Sequence, residues 1–391
     1  MNKQSFSTNK NILILTTPFR PNIGGVETHL DDLIEAGIKR GFNFFVLTYQ
    51  PLVTKAQGKT IEIEKGFKVY RLPWLRMNLF LILEKYPSLE FIYLFPPLFL
   101  LGLIFMLFNQ NKIKVIHAQG LVAGAIGVIL GKIFGKKVII STHSIYNFPK
   151  KGMYFNFAKF LFGSSNKVLC LSHQSKQEVV DLGIEPSKVE VFTYWVDQEL
   201  FHPFSKKESR KKIGENEESF ICLFIGRLVK GKGIPELLES ADFLKDKMSK
   251  PSLKFIIIGD GPFASLVDEA SKRQTNIRFE GKVNNNELTK YYNAANVLLV
   301  PSTHEEGYGR VILEALSCGI PIIATNRGGV KEYINREIGI LIDITAQNIK
   351  DSLLLLLNNP KKLKSMSDEA YVYAKIHFNK KNCQIIFRNY E

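Results

Sequence analysis

The stretch EEGYGRVILEALSCGIPIIATNRGGVKEYI (residues 305–334) decides how this chain folds. The apolar run NVLLVPS (296–302) before it reads as a buried strand, and THEEGYG (303–309) as the loop leaving that strand's carboxyl end. A helix is predicted from about Tyr308 to Cys318, with Gly319 at its C-cap and Pro321 to stop it. PIIAT is then the next strand. Strand, glycine-bearing loop, helix and strand make the repeating unit of a parallel α/β sheet. The helix also separates two glutamates. Glu306 falls in the loop at the helix start and Glu314 about two turns further on, so they do not share one surface stripe. Gly307 and Gly309 expose backbone N–H groups at the helix start, where anionic or oxygen-rich ligand groups are favoured. Taken alone, Glu306 is equally well read as a capping residue.

The same plan recurs outward from this stretch. NILILTT, NFFVLTY, KVIHAQ, KVIISTH and KVLCLS in the first half, and FICLFIG, KFIIIGD, NVLLVPS and IPIIAT in the second, are apolar on both faces. Strands of that kind lie in parallel sheets covered by helices. Between the two sets, DQELFHPFSKKESRKKIGENEES is polar and heavily charged and reads as a linker. The expected organisation is a first domain over 1–196, a linker over 197–219 and a second domain over 220–374. Two doubly wound domains leave a cleft, and open parallel sheets bind ligands beyond the carboxyl ends of their strands.

The totals agree with a folded globular chain. At 391 residues it exceeds one ordinary core, and its composition is 45% hydrophobic and 23% charged. Cys170, Cys222, Cys318 and Cys383 show no metal or disulfide spacing and read as buried apolar residues in a reducing compartment. The N-terminal apolar run before Pro18 is too short for a signal-peptide core, so a cytoplasmic location is expected. The net charge of +15 is unevenly placed: between Glu90 and Glu178 there are ten lysines and no acidic residue. Nucleic acid, an anionic membrane surface or a polyphosphate ligand would each suit it, as would a merely lysine-rich chain. LEFIYLFPPLFLLGLIFMLF (89–108) is long enough to test as a membrane span. Glu90 and the Pro96-Pro97 pair argue against a span; contact with a membrane interface and a core-covering helix are the alternatives.

Three further loops carry candidate chemistry. The first strand runs into Gly24-Gly25 and then a helix whose Val26, Leu30, Leu33, Ile34 and Ile38 share one face; the glycines permit close backbone approach, or simply a tight turn. In FIGRLVKGKG, Arg227 and Lys232 lie between a strand and a helix with Gly226, Gly231 and Gly233 around them. A bidentate guanidinium and a point charge make a natural diphosphate clamp, against the plainer reading of a solvated loop. Gly259-Asp260-Gly261-Pro262 reads as a structural turn.

With these pieces in order, the chain resembles glycosyltransferase family 4, the retaining nucleotide-sugar transferases of the two-Rossmann-domain GT-B type. The resemblance runs through the Gly-Gly loop, VIHAQG, STHS, LSHQSK, YWVDQELFHP, FIGRLVKGKG, IIGDGP, FEGKVNNNEL and the Glu-x7-Glu motif ending in SCGIPIIATNRGG. It implies a GT-B fold with two doubly wound Rossmann-like domains facing a cleft, and a last helix, about 375–391, crossing back to the first domain. It implies that Arg227 and Lys232 hold the donor phosphates, approached by Gly24 and Gly25, and that Glu306 contacts donor sugar hydroxyls while Glu314 lies at the ribose. Gly307, Tyr308 and Gly309 would line the sugar and phosphate, and His143 would lie near the transferred sugar, which makes His143, Glu306, Arg227 and Lys232 the catalytic candidates. No metal and no cofactor is expected, and no Asp-x-Asp occurs. YWVDQELF departs from the usual entry into the linker, and Gln119 stands where a second histidine is frequent, so neither Tyr194, Trp195 nor Gln119 receives a role.

The expected partners are a UDP- or GDP-sugar and a lipid-linked, glycolipid or polysaccharide acceptor, with the protein peripheral on an anionic inner membrane face. A soluble synthase with a small phosphorylated acceptor is the enzymatic alternative. A non-enzymatic basic protein binding membrane or nucleic acid is the alternative of another class. Nucleic acid is disfavoured because the basic interval alternates with buried strands and contains no recognised binding module. The resemblance implies that backbone groups around Lys282–Asn286 choose the base, and the sequence leaves the nucleotide open.

Overall fold

The computed structural model describes residues 10–22, 24–52, 56–75, 79–83, 86–245, 252–304 and 308–391. They form two compact units, residues 1–194 with 381–391, and residues 195–380.

The first unit is built on a sheet of eight strands: β1 (Asn11–Leu15), β2 (Asn43–Tyr49), β3 (Ile61–Glu64), β4 (Phe67–Leu72), β5 (Val115–Gln119), β6 (Lys137–Thr142), β7 (Lys167–Cys170) and β8 (Val189–Val191). Their order is β3-β4-β2-β1-β5-β6-β7-β8, parallel throughout except for the antiparallel edge pair β3–β4. β1 and β5 are buried at every position, as expected for strands covered on both faces. The edge strand β3, IEIE, is mostly exposed, and its alternating charges blunt an otherwise open edge.

The second unit is a six-stranded, all-parallel sheet: β9 (Phe220–Ile225), β10 (Leu253–Ile258), β11 (Ile277–Gly281), β12 (Val297–Val300), β13 (Ile322–Thr325) and β14 (Gly339–Ile342), ordered β11-β10-β9-β12-β13-β14. The helix of the opening stretch spans Arg310–Ser317, with Gly319 in the left-handed region at φ 71°.

Two parts of the chain differ from the sequence reading. The charged segment 197–219 is no free linker: Ser205 caps a helix over Lys206–Ile213, and buried Arg210 donates to the Ala294 carbonyl (3.0 Å) and to Asn296 (2.7 Å). The segment therefore belongs to the second unit, with Lys207, Glu208, Lys211 and Lys212 exposed on a helix anchored by Arg210. The C-terminal helix runs over Pro360–His377 in that same unit, and only residues 381–391, with the short helix Cys383–Phe387, join the first.

The apolar segment around 89–108 forms one helix, Pro87–Asn109. Ser88–Asn109 is long and apolar enough to cross a membrane by length and composition, with a third of it buried in the protein. Tyr93, Leu94, Leu98, Phe105 and Met106 pack with Leu13, Leu15, Phe45, Leu47 and Ile116 of the sheet. Drawing the helix into a bilayer would leave those sheet residues in water, at about 1.5–3 kcal/mol per side chain, which argues for a core-covering helix. Its outer face is nevertheless apolar, with Ile92, Leu100, Leu107 and Phe108 at 65%, 56%, 57% and 81% exposure.

Candidate functional site

Each sheet reverses its winding direction once. In the second unit the chain moves outward from β9 through β10 to β11, then returns to the other side of β9 with β12. The loops after β9 and β12 therefore part at this point and leave a crevice beyond the strand ends, the usual ligand position in such sheets. Those loops are Gly226–Gly233 and Pro301–Gly309. In the first unit the same reversal separates β1 from β5, so the loop carrying Gly24-Gly25 and the strand end at Gln119 flank it.

The loop after β9 is held by backbone contacts. Leu228 N–H donates to Asp260 O and Phe263 N–H to Leu228 O, at 2.8 and 2.9 Å. Arg227 is exposed and Lys232 half-buried at the end of a 3-10 turn, Lys230–Lys232. Gly233 then opens the helix Ile234–Phe243 with φ 69°, and a Cβ there would lie 1.8 Å from Pro301 O. The glycine is what lets this turn pass against the neighbouring loop. Gly259-Asp260-Gly261 is a structural turn: a Cβ at Gly259 would strike Gly226 O at 1.9 Å, and Asp260 caps the N–H of Gly261 at 2.7 Å.

On the loop after β12, Glu306 and Gly307 lie outside the described residues. Tyr308 stacks on Tyr333 with centroids 4.2 Å apart, and Gly309 takes φ 62° as the cap of the helix Arg310–Ser317. Glu314, expected at the donor ribose, lies on the helix Arg310–Ser317. It is 3% exposed, and its two carboxylate oxygens accept from Arg310 Nε (3.1 Å) and from the Tyr292 hydroxyl (2.8 Å). Arg310 also donates to the Trp195 carbonyl at 3.4 Å. The i,i+4 spacing of Arg310 and Glu314 is visible in the sequence; Tyr292, on another helix, is not.

In the first unit Gly25 begins the helix Gly25–Lys39, and a Cβ at Gly25 would meet no atom within 4 Å, so a ligand has room to approach the backbone. Gly24 has φ −174°, ordinary extended backbone, and a Cβ on it would collide with the Glu27 carboxylate at 2.4 Å. His143 follows β6 and has both ring nitrogens engaged. Gln119 Oε1 lies 2.7 Å from Nε2 and the Tyr194 hydroxyl 2.6 Å from Nδ1. An amide oxygen only accepts, so Nε2 carries the proton and Nδ1 accepts from Tyr194. Burial lowers the pKa of His143 below the ordinary imidazole value, which keeps that neutral form. Held this way, the ring offers neither a spare N–H nor a spare lone pair to a substrate hydroxyl. Tyr194 and Gln119, left without a role by the sequence, are the groups that fix it.

Residues 23–200 match the family described as "Glycosyltransferase Family 4", and residues 205–373 the one described as "Glycosyl transferases group 1". The chain belongs to glycosyltransferase family 4. A phosphatidylinositol N-acetylglucosaminyltransferase subunit from Arabidopsis thaliana is 26% identical over 348 residues, 85% of this chain and 71% of that protein. The putative teichuronic acid biosynthesis glycosyltransferase TuaC of Bacillus subtilis is 26% identical over 71% of this chain and 70% of its own. Among solved structures, Anabaena Alr3699/HepE in complex with UDP superposes with a TM-score of 0.76 at 21% identity, covering 97% of this chain and 98% of that one. The fold is GT-B, with two parallel-sheet Rossmann-like units, and this family 4 member is a glycosyltransferase.

Proposed function

We propose that the protein transfers a hexose or N-acetylhexosamine, with retention of anomeric configuration, from a UDP- or GDP-sugar to a lipid-linked, glycolipid or polysaccharide acceptor at a cytoplasmic membrane face. The observation that carries the reading is the exposed Arg227 and half-buried Lys232 on a glycine loop at the β9/β12 switch point, beside the Tyr308–Gly309 helix start. As the glycosidic bond breaks, negative charge grows on the leaving diphosphate. Two fixed cations placed there lower that barrier without reorganising water. The incoming hydroxyl attacks from the face the diphosphate leaves, which takes up its proton. Glu306 is assigned to the sugar hydroxyls, and Gly25, Gly307 and Gly309 to close backbone approach. His143 is assigned to shaping the sugar pocket, with its nitrogens tied to Gln119 and Tyr194. No step in this scheme calls for a metal.

Support for the donor class comes from the Anabaena structures solved with UDP and with UDP-glucose, and support for a lipid acceptor from the phosphatidylinositol-directed relatives. The test is a thermal-shift screen with UDP, GDP and ADP, followed by turnover of the matching sugar donors. Selective stabilisation by one nucleoside diphosphate and transfer from its sugars is expected. Turnover of none of the common UDP- and GDP-sugars, with Glu306→Ala indistinguishable from the parent, would sink the proposal.

The membrane part of the reading rests on the exposed stripe Ile92, Leu100, Ile104, Leu107 and Phe108, together with the acid-free, lysine-bearing interval that follows it. Apolar side chains entering the interface and lysines attracted to anionic headgroups act together. The parent should float with anionic liposomes, and Leu107→Ser/Phe108→Ser should weaken that binding about tenfold while leaving thermal stability unchanged, since both side chains are exposed. A parent that stays unbound would favour the soluble synthase.

A further inference from the structure

His304 precedes the Glu-x7-Glu motif and belongs to no assigned part of the site. Its Nδ1 lies 2.6 Å from the carbonyl oxygen of Gly231, the central residue of the turn Lys230–Lys232. A carbonyl only accepts, so Nδ1–H donates. The same carbonyl accepts from the backbone N–H of Thr303 at 2.9 Å. Arg327 in turn donates to the Thr303 carbonyl at 3.2 Å, bracing the segment that carries His304. The packing is close: a Cβ at Gly231 would sit 3.0 Å from His304 Nδ1. Two loops leaving adjacent strands are thus stapled at one oxygen, and the imidazole is the side-chain half of the staple.

We propose that His304 is a positioning residue for the donor diphosphate: by holding the Gly231 carbonyl, it fixes the turn that presents Lys232 and ties it to the segment Thr303–His304 that follows β12. The inference rests on the reading of Arg227 and Lys232 as the diphosphate clamp. Without the imidazole, the link between the two loops at this oxygen falls to the Thr303 N–H, and more of the turn's placement must be fixed at the moment of binding. The cost then appears as lost affinity for the diphosphate. The nucleoside part of the ligand, contacting other groups, is not affected.

Calorimetric titration of UDP and UMP (GDP and GMP if the parent prefers guanine) into the parent, His304→Ala and His304→Asn tests this. Asparagine places an N–H donor at the position of Nδ1. His304→Ala should weaken the diphosphate roughly three- to tenfold, the value of one such hydrogen bond, and the monophosphate less than twofold. His304→Asn should restore most of the loss. Equal weakening of both nucleotides, no weakening of the diphosphate, or a His304→Asn as poor as alanine would overturn the inference. A parent that binds neither diphosphate would overturn the proposed function itself, which separates the two failures.

Discussion

Lys232→Ala is expected to lower kcat/KM for the donor by about 10²–10³-fold, the usual cost of removing one preorganised charge from a developing anion. Lys232 lies at the end of a turn fixed by hydrogen bonds from Lys232 N–H to Val229 O and from Gly233 N–H to Lys230 O, at 3.0 and 3.1 Å. Its loss removes a charge while these backbone bonds of the turn remain, so the melting temperature should fall far less than the activity. Arg227→Ala should cost a similar factor, and Arg227→Lys should recover only part of it, because an ammonium cannot replace a bidentate guanidinium. If the charge acts on the transition state, kcat falls; if it only holds the ground state, KM alone rises. The reading requires the first. Steady-state kinetics with saturating acceptor decide it, and an unchanged kcat in Lys232→Ala would remove this lysine from the chemistry.

The parallel α/β architecture was legible in the sequence because its signals are local. Runs such as NILIL and FICLFI are buried on both faces by their composition alone, and Gly319-Ile320-Pro321 ends its helix within one residue of the predicted position. The glycines of the β9 loop were legible for the same reason. Edge strands were not: IEIE alternates glutamate with isoleucine, since one side of an edge faces solvent, and GILI is only four residues long. The wiring of the candidate site was hidden by distance along the chain. His143 is fixed by Gln119 and Tyr194, 24 and 51 residues away, and buried His117 meets the hydroxyl of Tyr390 at 2.6 Å, 273 residues away. Such pairs follow from strand order, which no window of sequence contains. The segment 197–219 misled because its charge density hides a single anchor, Arg210, whose guanidinium is buried among backbone carbonyls.

Glu314→Ala should be the most destabilising of the substitutions named here, by about 3–5 kcal/mol, because it removes the buried carboxylate paired with a buried guanidinium. Arg310 and Glu314 have side-chain exposures of 8% and 3%, so water does not screen the pair. Removing the carboxylate breaks the ion pair that Arg310 makes at 3.1 Å, and takes from the buried Tyr292 hydroxyl the acceptor it has at 2.8 Å. An unsatisfied hydroxyl adds about 1–3 kcal/mol on its own. Glu314→Gln keeps an acceptor for Tyr292 but not the charge, and should fall between alanine and the parent. The diagnostic variant is Glu314→Ala/Arg310→Met, which removes both charges and should regain part of the loss despite carrying two changes. Denaturant unfolding of the three variants, followed beside nucleotide titration, separates the two roles open to this glutamate. A residue that anchors the helix beneath the donor loop lowers stability first and affinity only as the helix shifts. A direct ribose contact does the reverse, so a Glu314→Ala protein of parental stability with at least tenfold weaker nucleotide binding would return Glu314 to the ligand and refute the buried-pair account.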